Sequence, residues 1–82
     1  MSMPSFLVHH RHAPAECGAT FASFRGDDSP HRGKATFTTC LAGGHEIWWL
    51  VDAADPQTAL SQLPYFVRRR STAVEIREVR MP

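Results

Sequence analysis

Phe6-Leu7-Val8-His9-His10-Arg11-His12-Ala13-Pro14-Ala15-Glu16-Cys17 runs from an apolar, strand-like segment directly into three of the chain's five histidines and one of its two cysteines. Successive strand residues point to opposite faces, so His10 and His12 share a face with Phe6 and Val8, while His9 lies with Leu7 and Arg11. Pro14 suits the first position of a helix, which places Glu16 and Cys17 in its first turn. The helix dipole favours negative charge there, and with it a thiolate at Cys17. The stretch therefore predicts a β-to-α transition with polar, chemically capable side chains at the end of a buried strand.

Working outward, residues 5–12 form the first strand and residues 14–25 a helix with Cys17, Phe21 and Phe24 at helical spacing. That stripe reads as core. Gly26 ends the helix, and Gly26 to Lys34 (GDDSPHRGK) has the composition of a surface loop in which His31 is solvated. Residues 35–41 (ATFTTCL) and 45–52 (HEIWWLVD) are rich in β-formers and flank Ala42-Gly43-Gly44, predicting a hairpin. In the second of these strands Ile47, Trp49 and Val51 share one face and Trp48 and Leu50 the other, so one tryptophan belongs to a core or ligand cavity and the other to an interface. Asp55-Pro56 is a helix start, Leu60, Leu63 and Val67 give that helix its apolar stripe, and Pro64 should kink or shorten it. Residues 73–79 alternate as a last strand.

The order β-α-β-β-α-β predicts one α+β domain over residues 1–82, a ferredoxin-like antiparallel sheet of order 4-1-3-2 with both helices on one face. Two helices cannot cover both faces of a sheet that is apolar on both, so a second copy is expected to pack sheet to sheet as a dimeric α/β barrel. Eighty-two residues give a core small enough for such burial to help.

A formal charge of +1, with the only basic run at Arg68-Arg69-Arg70, gives no reason to expect nucleic acid. No apolar run approaches the roughly 20 residues needed to span a bilayer. Met1-Ser2-Met3-Pro4 lacks the basic start and apolar core of a signal peptide, so a cytoplasmic protein with two free thiols is expected. Gly43-Gly44 lacks the following lysine and helix of a phosphate loop.

Val51-Asp52-Ala53-Ala54-Asp55, Leu60-Ser61-Gln62-Leu63-Pro64-Tyr65-Phe66 and Val74-Glu75-Ile76-Arg77-Glu78-Val79 resemble the muconolactone isomerase family and its dimeric α/β-barrel relatives. Phe6-Leu7-Val8-His9-His10 and the closing strand also resemble small nickel-binding proteins of that superfamily, although Thr38 or a neighbour stands where those have a histidine on the second strand. The first resemblance implies an isomerase, cyclase or lactone-rearranging enzyme, working without an organic cofactor on a small anionic or enolisable molecule. The second implies a metal protein.

The predicted topology collects these groups at one end of the sheet. His10 and His12 finish the first strand beside His45 and Glu46 at the start of the third, Cys40 arrives through the hairpin, Glu16 and Cys17 open the first helix, and Arg68 to Arg70 close the second. As a proton-transfer site, His12 or His10 is the general base, His45 or Glu46 orients it, and Arg69, Trp49 and Cys17 contact the substrate. As a metal site, His10, His12, His45 and Cys17 or Cys40 offer imidazole and thiolate to Ni, Zn or Cu. A third possibility is a ligand-binding module without catalysis. The structural alternative makes the histidines hydrogen-bonding groups at a sheet end, with Cys40 a small core residue and His9 and His31 structural or exposed.

Overall fold

The computed structural model describes residues 3–82; Met1 and Ser2, part of the stretch compared with a signal peptide, lie outside the described residues. Strand β1 (Ser5–Arg11) buries Phe6, Val8 and His10 on one face, while Ser5, Leu7 and His9 are half-buried on the other. It is the central strand, antiparallel both to β3 (Glu46–Asp52) and to β4 (Ser71–Ile76). The two-residue β2 (Phe37–Thr38) adds to the outer side of β3. The sheet order is β2-β3-β1-β4, which from the β4 edge reads 4-1-3-2 in chain order. This is a small α+β fold with a four-stranded antiparallel sheet, compatible with the ferredoxin-like arrangement.

The first helical segment is shorter than its sequence predicts. A 3-10 turn at Pro14–Glu16 leads into α1 (Cys17–Ala22), and tight turns carry the chain on to Gly26, whose φ of 72° ends the segment in the left-handed region. Its buried face also differs, because Thr20 is enclosed, with its hydroxyl donating to the Glu16 carbonyl at 2.9 Å, whereas Phe21 is half exposed. Phe24 alone of the two phenylalanines packs on the core, tilted against Trp49 with ring centres 6.0 Å apart.

The hairpin exists, but its first strand is cut to two residues. The chain coils back after Thr38, the Thr39 carbonyl accepting from the Ala42 and Gly44 amides at 2.9 and 2.8 Å, and Cys40–Ala42 form a 3-10 turn. Both glycines are required here: Gly43 has φ +92°, and a Cβ on Gly44 would run into the Thr39 side chain. The turn swings Cys40 inward, where it packs against the core.

Asp55 caps α2 (Pro56–Ser61), its carboxylate accepting from the Thr58 amide at 2.7 Å and so satisfying one of the helix's free first-turn donors. Pro64 divides the helix as its missing N–H dictates, and α3 (Tyr65–Arg68) restarts from it. Ala59, Leu63 and Val67 close over Phe6, Val8, Ile47, Trp49 and Val51 to make the core. β4 follows α3 almost at once, pairing His10 with Ser71 and Ser5 with Ile76. It therefore starts two residues earlier than the alternation suggests and stops where β1 has no more residues to pair.

On the face away from this core, Leu7 stands between Leu50 and Val74, and Trp48 between His9 and Phe37. Leu50, Val74 and Phe37 are 65%, 57% and 75% exposed. No helix among the described residues is long and apolar enough to cross a membrane.

Candidate metal centre

Beyond Arg11 the first strand is held for one more residue, because the His12 amide donates to the His45 carbonyl at 3.0 Å. This fixes two histidines side by side at the end of the sheet, with ring centres 5.4 Å apart and planes at 63°. The 3-10 turn after Pro14 delivers Cys17 to the same place, and the turn after Thr39 delivers Cys40. One donor atom from each of His12, Cys17, Cys40 and His45 lies within 4.8 Å of every other. With metal–sulfur and metal–nitrogen bonds of ordinary zinc length, the edges of a tetrahedral N2S2 site run from about 3.3 to 3.8 Å. His12 Nε2 lies 3.6 Å from Cys40 Sγ, inside that range.

The proton positions of His12 follow from its neighbours. Ser71 donates its hydroxyl proton to the Val67 carbonyl at 2.7 Å. His10 Nδ1 faces that same carbonyl at 3.3 Å and the Ser71 oxygen at 3.2 Å, so it must carry the hydrogen. His10 is fully buried, and burial, more than its neighbouring charges, draws its pKa below the ordinary value and keeps it neutral. Its Nε2 is therefore a bare acceptor, and His12 Nδ1, 2.9 Å away, is the donor. His12 is left with an unprotonated Nε2 aimed at Cys40. Burial and then the adjacent His45 pull the His12 pKa down as well, against the opposing pull of Glu16. On the far side, His45 Nδ1 is buried and has no hydrogen-bond partner among the described residues.

The Cys17 sulfur does not behave as the helix start suggests. Rather than a favoured thiolate, burial and the neighbouring Cys40 thiol push the Cys17 thiol up. A divalent cation placed between the sulfurs reverses that penalty on Cys17. Both cysteines are free and half-buried.

A second layer fixes the ligand-bearing loop. Glu16 accepts from the Ala13 amide at 2.9 Å and from Arg70 at 2.7 Å, and Arg70 lies over the Phe66 ring at 3.8 Å. Hydrogen bonding from Arg70, and then from Ala13, holds the Glu16 carboxyl below its usual range.

Among the residues singled out in the sequence, His12, His45 and Cys17 converge. His10 supports His12 from behind and does not face the other donors. Glu46 turns to the open face, where it takes Arg11 at 3.0 Å and His9 at 2.9 Å, and His9 stacks on Trp48. Arg69 is exposed against Tyr65; the arginine that reaches this end of the sheet is Arg70. Trp49 is buried edge-on to His10. His31 is half-buried and bonds Gln62 at 2.9 Å instead of being fully solvated. Cys40 is the member that the core reading undervalues. The sequence does carry a signal for it, the mirrored spacing His12-x4-Cys17 and Cys40-x4-His45.

No family model matches the chain, and neither a curated protein nor a solved structure matches it.

Proposed function

We propose that this chain is a small metal-binding protein that holds one transition-metal ion, zinc in the first place, through His12, Cys17, Cys40 and His45. The observation that carries the reading is the convergence of four donors, two from the β1–α1 connection and two from the β2–β3 connection, within 4.8 Å. Mixed imidazole and thiolate ligands suit zinc, and two thiolates balance the charge of a divalent ion. Four protein ligands leave no open position, which favours a fold-fastening or metal-responsive role over a catalytic one. Nickel and copper are the competing ions for the same donors.

Metal analysis of protein purified without chelator, followed by Co(II) titration, tests this. One ion per chain and a tetrahedral Co(II) spectrum with thiolate charge transfer are expected, both lost in Cys40→Ser. Parent protein that takes up neither ion at micromolar concentration overturns the proposal.

Proton transfer on a small anionic molecule, as in the isomerase-like reading, is supported by the bare Nε2 of neutral His12. The metal reading accounts for that nitrogen and for both thiols. Exposed Leu50, Val74 and Phe37 around Leu7 support a homodimer through the open sheet face, and two unpaired thiols fit a reducing cytoplasm.

A further inference from the structure

A cavity of about 300 Å³ lies away from the metal donors, between α1, the loop after it and the β2–β3 edge of the sheet. Its walls are Phe21, Phe24, Trp49 and Ile47, and its rim carries His31 and Lys34. This size is at the lower end for small-molecule sites, and a mostly apolar lining with few polar groups is their usual composition.

The polar groups at the cavity divide into engaged and free. The Thr36 and Thr38 hydroxyls donate to the Trp48 and Glu46 carbonyls. Gln62 donates its amide to the Asp52 carbonyl at 3.0 Å, which leaves its oxygen to accept from His31 Nε2 at 2.9 Å. Lys34 is different. Its amide donates to the His31 carbonyl at 3.2 Å, closing a turn through Gly33 at φ +77°, and both residues line the cavity. Its ammonium forms no ion pair among the described residues.

We infer that this cavity binds a small aromatic carboxylate, with the ring between Phe24, Phe21 and Trp49 and the carboxylate on Lys34 beside His31. Three aromatic side chains favour a flat ring in offset or edge contact, and the free cation at the mouth selects an anionic substituent over a neutral one. The site uses none of the proposed metal ligands, so it stands or falls separately from the metal reading.

Phenylacetate and the uncharged 2-phenylethanol are the probes, titrated into 15N-labelled, zinc-supplemented protein while amide and indole shifts are followed. Phenylacetate should give saturable shifts at Gly33, Lys34 and the Trp49 indole. It should bind about fivefold tighter than phenylethanol, the upper end for an ion pair at an exposed lysine. Lys34→Met should remove that preference while leaving phenylethanol binding and Co(II) uptake unchanged. Unsaturable shifts, equal binding of the two probes, or saturable shifts centred on Leu50 and Val74 would each overturn the assignment.

Discussion

Replacing His10 with leucine tests whether this buried ring sets the metal affinity of a site it does not touch. Leucine has similar bulk and no acceptor. Ser71 keeps its bond to Val67, but His12 Nδ1–H loses a buried partner at 2.9 Å. In the metal-free protein His12 can move its proton to Nε2 and donate toward Cys40, so stability should change little. Metal binding must then reverse that shift and leave the Nδ1 donor unpaired, at about 1–3 kcal/mol. At 1.4 kcal/mol per tenfold, affinity should fall between about fivefold and a hundredfold. Outer partners of ligating histidines have effects of this size. His10→Gln supplies an amide oxygen for His12 and an amide N–H for Val67, and should stay within about threefold of the parent. Competition against a chromophoric zinc chelator gives the affinities, and melting of the metal-free proteins gives the stabilities. Parent-like affinity in His10→Leu would refute the relay, and equal losses in the leucine and glutamine variants would reduce His10 to packing.

Zinc at a thousand times its dissociation constant should stabilise the fold by about 4 kcal/mol and raise Tm by about 15–30 °C, reversibly with chelator, as read by calorimetry. Sedimentation at micromolar concentration should give twice the chain mass, and Leu50→Lys, at the centre of the open face, should give a monomer with an unchanged far-UV spectrum. Glu16 has its folded pKa lowered by Arg70, so its contribution is present above the ordinary carboxylate pKa and is lost as pH falls through the lower, folded value. Tm measured from pH 7 to 3 should therefore fall less steeply in Glu16→Gln than in the parent.

The fold was legible wherever side-chain period and backbone chemistry agree. Alternation in β1 and β3 fixed which residues face the helices, and Asp55-Pro56 and Pro64 marked a helix start and a break through a cap and a missing donor. The boundaries that moved are those decided by tertiary pairing. Thr39 and Cys40 have good strand propensity, yet the Thr39 carbonyl is taken by Ala42 and Gly44, so the ladder stops after Thr38. Propensity describes a residue on a pleated surface, and no strand partner remains for residues committed to a turn. Likewise Phe21 satisfies the helical period, but α1 is too short and too peripheral to bury it.

Those same departures account for what could and could not be read of the candidate site. Topology alone brings His12, His45 and Cys17 to one end of the sheet, because β1 and β3 are antiparallel neighbours and α1 begins where β1 ends. Cys40 depends on the turn that propensity missed: in an extended strand its side chain would simply alternate with Thr39 and Leu41. The 3-10 turn, allowed by Gly43 and Gly44, converts it into a donor 3.6 Å from His12. The separate roles of His10 and His12 were equally out of reach, since residues two apart share a face in any strand. Only Val67 and Ser71, brought in by α3 and β4, determine which ring nitrogen of His10 bears hydrogen, and through it which nitrogen of His12 is free to bind.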